Sequence, residues 1–123
     1  MERETVKIHE KDEIGEVQIA NEVVAIIAGL AATEVSGVTG MVGSLKGDLV
    51  ELLGKKNLSK GVLVDVGEDA IALELSIIVD FGASIPEVSK AVQEKVKSAV
   101  ETMTGLTVNE VNIRIAGVDV ANK

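Results

Sequence analysis

GVLVDVGEDAIALELSIIVDF, Gly61 to Phe81, decides the fold. Val62, Val64 and Val66 fall on one face of an extended chain. Gly67 to Ala70, GEDA, has the small and acidic residues of a tight turn. After it, Ile71, Leu73, Leu75, Ile77, Val79 and Phe81 alternate against Ala72, Glu74, Ser76 and Asp80, with Ile78 the one apolar exception on the outer face. Strict alternation means a strand with one buried and one wet face. Two such runs joined by a short turn form an antiparallel hairpin, and a one-sided hairpin needs a second layer to cover it.

The covering layer is legible on both sides of the hairpin. Downstream, Ser84 and Glu87 in SIPE predict a capping box, with Pro86 in the first turn. The helix that follows carries Val88, Val92, Val96, Ala99, Val100 and Met103 on one stripe and ends at Gly105. Lys90, Glu94, Lys97 and Glu101 lie opposite, at spacings that allow surface ion pairs. VNEVNIRIAGVDV then predicts a last strand, with Val111, Ile113 and Ile115 pointing one way, Asn112 and Arg114 the other, and a bulge at Gly117.

Upstream, GEVQIA (Gly15 to Ala20) predicts a strand with Val17 and Ile19 on one face, and Asn21 an N-cap. Val23 to Glu34 reads as a helix rich in Ala, Ile and Leu. Val35 to Gly43 reads as a glycine-punctuated strand or bulge. Ser44 to Gly54 reads as another helix, with Leu45, Leu49, Leu52 and Leu53 as its stripe, followed by a basic loop to Gly61. The order is β-α-β-α-β-β-α-β, an α+β two-layer single domain with a mixed sheet and its helices mainly on one face. A charged arm occupies residues 1–13, with a short extended piece expected at Thr5 to Ile8; the domain runs over 14–120, and 121–123 form the C-terminal end.

Composition excludes several functions. The net charge of −8 opposes nucleic-acid phosphates and anionic lipid. Phe81 is the only aromatic residue, a poor platform for stacking bases. Cysteine is absent, which removes disulfides, thiolate metal sites and Cys nucleophiles. The N-terminus, MERETVKIHEKDE, has no apolar signal core, and a cytoplasmic location is expected.

Each residue that could carry chemistry also has an ordinary structural role. The uncharged run Val23 to Ala32 is far shorter than the about 20 apolar residues of a membrane span. Within it Ala25, Gly29 and Ala32 share a face, where small side chains let another backbone come close; an intramolecular helix contact and an association face both fit. GVTGMVGSL enters a helix start, so Gly40, Gly43 and Ser44 are candidates for an anion-binding turn spanning Gly37–Ser44, although neither phosphate-loop pattern is matched. Lys55, Lys56 and Lys60 form the one basic cluster, a candidate partner-contact loop. His9 with Asp12 and Glu13 makes a poor metal site on a charged arm. Glu74 and Asp80 share a face but lie roughly 20 Å apart along a strand, too far for a carboxylate dyad. No catalytic, metal or cofactor set converges, and an enzyme is not expected.

GEVQIANEVVAIIAGLAATEVSGVTGM, SKGVLVDV, IIVDFGASIPEV and AVQEKVKSAVETMTGLTVNEVNIRIAGV, in that order, resemble the alkaline-shock-protein family of Gram-positive bacteria. Val100 to Ile113, VETMTGLTVNEVNI, is the most specific part. The resemblance implies a non-enzymatic α/β domain in the cytosol, held at the inner membrane face by a separate membrane-anchored protein and linked to envelope homeostasis and alkaline tolerance. It also implies self-association in some members. Phe81 stands where the family often has Tyr, and the chain stops at Lys123 without the polar tail some members carry.

Overall fold

A computed structural model describes residues 5–7, 15–42 and 59–120. Its centre is the predicted long strand. Ile71–Asp80 (β5) pairs antiparallel with Val62–Val66 (β4), from Val62 opposite Leu75 to Val66 opposite Ile71. Val108–Asp119 (β6) runs parallel along the whole of β5. With one edge of β5 taken by β6, the other is shared end to end by β4 and Val38–Met41 (β3), whose Met41 lies opposite Ile77. The two meet at Ser76. The Val42 N–H donates to the Ser76 carbonyl at 3.1 Å, and the Ser76 N–H donates to the Gly61 carbonyl at 2.8 Å. The helix expected over Ser44 to Gly54 lies outside the described residues.

Among the described residues, two helices cover the buried face. Asn21–Thr33 (α1) and Ile85–Thr104 (α2) pack on each other and on the sheet. Ile71, Leu73, Leu75, Ile77 and Val79 of β5 meet Val88, Val92, Val96 and Val100 of α2 and Val24, Ala28 and Ala32 of α1 in one aliphatic core. α2 also supplies the crossover that parallel β5 and β6 require. A separate two-stranded ribbon joins Thr5–Lys7 (β1) to Gln18–Ala20 (β2), in the part of the arm expected to be extended.

Several local expectations are corrected. Asn21 is the first residue of α1, not its cap; β2 runs straight into the helix, so the cap position falls on Ala20, in extended conformation. Ser84 does occupy the cap position of α2, but without a side-chain cap bond, so the box is not closed. Gly105 ends α2 as expected, with φ +76 and its N–H on the Glu101 carbonyl. The core stripe of α2 finishes at Thr104 and not at Met103, which is 70% exposed. The alternation puts Phe81 on the buried face, yet it is 59% exposed. β5 stops at Asp80, and Phe81 enters a turn with Gly82 at φ +92, so the alternation no longer directs its ring. Val17 likewise precedes β2 and is exposed, leaving Ile19 to pack on the core.

Candidate functional site

The small-residue stripe of α1 lies inside the molecule. Ala25 is 5% exposed, Ala32 is 0% exposed, and Gly29 is buried between them. Ala25 and Ala32 belong to the aliphatic core. The apolar residues that α1 exposes are Val23 and Leu30. Gly40 lies in β3 opposite Ile78, next to a bulge; Gly43 and Ser44 lie outside the described residues. Gly37 stands before β3 at φ +99, and a Cβ there would lie 2.7 Å from Val88 Cγ2. Close packing on α2 and a left-handed backbone account for that glycine. Lys60 is exposed just ahead of β4, while Lys55, Lys56, His9, Asp12 and Glu13 lie outside the described residues. Among the described residues no group of three His, Asp or Glu could hold a metal ion. Asp80 accepts a 2.6 Å hydrogen bond from Thr39 Oγ1.

The most organised polar constellation is one that helix periodicity alone did not reveal. It lies where α2 overhangs the start of β6. Glu101 Oε2 accepts the Val108 N–H at 2.9 Å and Lys97 Nζ at 3.2 Å. Lys97 Nζ also donates to the Val108 carbonyl at 2.6 Å. One turn earlier, Gln93 Nε2 donates to the Val111 carbonyl at 3.0 Å. A carboxylate on an N–H and an ammonium on a C=O reproduce what a neighbouring strand would offer. The three side chains therefore act as a clamp on the outer edge of β6. The Val108 N–H first, and Lys97 second, hold the Glu101 carboxyl below the usual carboxylate range. A shallow groove of about 200 Å³ beside the clamp is lined by Gln93, Glu94, Lys97, Asn109, Glu110 and Val111. The sequence showed Lys97 and Glu101 only as an i,i+4 pair; that they straddle a peptide of β6 depends on tertiary packing.

At the other end of the sheet, exposed apolar side chains gather. The Phe81 N–H donates to the Asp119 carbonyl at 3.1 Å, which brings Phe81 beside Val118 and Val120, and all three are exposed. These surfaces can make contacts; no arrangement of acid, base and nucleophile accompanies them among the described residues. No described helix is long and apolar enough to cross a membrane.

Comparison with known proteins agrees with the resemblance. Residues 9–120 match the alkaline shock protein 23 family, described as having a cell envelope-related function. The uncharacterized protein YqhY of Bacillus subtilis is 44% identical over 115 residues, spanning 94% of this chain and 85% of that one. YloU of the same organism is 40% identical over 119 residues, spanning 95% and 99%. A stress response regulator gls24 homolog of Streptococcus pyogenes is 30% identical over 110 residues, 89% of this chain but 60% of the relative. Among solved structures, a triply substituted MamM CTD aligns with a TM-score of 0.51 over 80% of this chain and 96% of that one. Its 17% identity makes that a likeness of fold alone. With the family's pattern matched from residue 9 to residue 120 and a 44%-identical relative covering most of both chains, this chain belongs to the alkaline shock protein 23 family.

Proposed function

We propose that the chain is a non-catalytic scaffold that supports envelope homeostasis and alkaline stress tolerance from the cytoplasmic side, and that a membrane-anchored protein recruits it. One observation carries this reading: a match to an envelope-related family in a chain of net charge −8. Such a charge is repelled by an anionic leaflet, so the link to the envelope is best made through protein. The exposed Val23, Leu30, Phe81, Val118 and Val120 supply apolar surface for such contacts.

The test is a pull-down of the tagged full chain from crosslinked cells after detergent solubilisation. Recovery of one small membrane protein in stoichiometric amount supports the proposal. Recovery of the soluble chain alone, or of a metabolic enzyme, refutes it. Either of these refuting results would direct attention to a small-ligand or anion-binding role on the Gly37–Ser44 turn, read out by thermal stabilisation with inorganic phosphate.

A further inference from the structure

We propose that the outer face of the sheet, turned away from α1 and α2, docks a segment of another protein that carries Lys and Arg side chains. The strand register places the residues that would receive it. Asp65 of β4 and Glu110 of β6 both lie opposite Ala72, one on either side of β5. Glu74 stands two residues further along β5, between Leu63 on β4 and Asn112 on β6. Leu63, Asp65, Glu74, Glu110 and Asn112 are all exposed. Strand spacing sets the Asp65 and Glu110 backbones roughly 9.5 Å apart, and strand rise sets Glu74 about 7 Å from Ala72. Carboxylates spread this widely do not gather round one metal ion, and among the described residues no such group exists. Among the described residues, none of the three carboxylates has a hydrogen-bond or ion-pair partner. Arg114, opposite Ser76 on the next rung, is paired with none of them.

Leu63 gives this acidic face an apolar centre. It is 66% exposed, with Glu74 across the strands and Asp65 two residues along its own strand. Lys and Arg satisfy both features at once. Their methylene stems lie along Leu63 and Ala72 while their charged heads reach the carboxylates. Arg adds a two-pronged hydrogen bond to a single carboxylate. A purely apolar partner would take three carboxylates out of water without compensation, and an anionic partner would be repelled. A source for such a segment follows from the recruitment proposed above. Cytoplasmic segments beside a membrane span carry an excess of Lys and Arg. The negative charge that keeps the chain off an anionic leaflet would thus draw it to the basic flank of a membrane protein. Naming a juxtamembrane segment as the source rests on that recruitment; the chemistry of the face does not.

The experiment is an NMR titration of the isotope-labelled full chain with a short synthetic peptide of alternating Lys and Ser. A peptide of alternating Glu and Ser is the control. Physiological salt largely screens charges more than about 8 Å apart, which suppresses diffuse attraction to a chain of net charge −8. The shifts should centre on Leu63, Asp65, Glu74 and Glu110, and the control peptide should cause none. Glu74→Gln should weaken binding about two- to fivefold. Leu63→Ser, which leaves the charge unchanged, should weaken it about fivefold. Glu87→Gln removes the same charge from the exposed start of α2 and should leave binding unchanged. Far-UV circular dichroism identical to the parent shows that the variants remain folded. Shifts spread equally over the acidic residues of α2 would overturn the proposal. So would binding indifferent to both Leu63→Ser and Glu74→Gln. The pull-down separates this surface from the recruitment itself. A membrane protein recovered equally by the parent and by Glu74→Lys would leave recruitment standing and overturn the surface. No membrane protein from the parent, with peptide shifts still centred on this face, would refute recruitment and support the surface.

Discussion

Glu101 gives the sharpest test of the clamp on β6. In Glu101→Gln the amide oxygen can still accept the Val108 N–H, now without a charge, and the attraction to Lys97 is gone. Glu101→Ala removes both. A hydrogen bond to a charged group contributes about 1.5–3 kcal/mol, and an exposed ion pair about 0.2–1 kcal/mol. The Glu101 side chain is 34% exposed and its Lys97 partner 51%, so solvent screening favours the low end of both ranges. The expected losses are about 1 kcal/mol for Gln and about 1.5–2 kcal/mol for Ala. At this chain length each kcal/mol moves Tm by roughly 3–5 °C. Urea unfolding followed by far-UV circular dichroism measures both, since the chain offers no Trp signal. pH separates charge from packing. The folded state lowers the Glu101 pKa, so its charge stabilises the fold fully above the unfolded value of about 4.3 and loses that effect as pH falls through the lower folded value. The gap between the parent and Glu101→Gln should therefore stay constant above about pH 5 and close in acid. Equal stabilities at neutral pH would refute the clamp. A gap that persists unchanged in acid would show that side-chain shape, not charge, had been lost.

Gly37→Ala should cost about 3 kcal/mol, because it combines a left-handed backbone with a Cβ 2.7 Å from Val88 Cγ2; a urea midpoint close to the parent's would show that the β3 entry adjusts without strain. Val96→Ala, at a position with 0% exposure, should cost about 2 kcal/mol in the same assay. Met103→Lys should change stability by less than about 0.5 kcal/mol, because that side chain is 70% exposed; a larger loss would return Met103 to the core stripe.

The hairpin, α2 and β6 were legible because their apolar residues repeat at the period of the element they build. What failed did so for local reasons. At the end of α2, hydropathy favours Met103 over Thr104. The structure buries Thr104, whose hydroxyl donates to the Val100 carbonyl at 2.6 Å and accepts the Leu106 N–H at 3.1 Å. A threonine satisfied in this way continues the four-residue spacing of Val88, Val92, Val96 and Val100 at little polar cost. Phe81 failed for a different reason. It continues the alternation of β5 in sequence, but the strand ends one residue before it. The stripe Ala25, Gly29 and Ala32 announced a close approach without saying whose backbone approaches. The clamp was hidden by the same limit, because an i,i+4 pair reads alike whether it faces water or a neighbouring peptide.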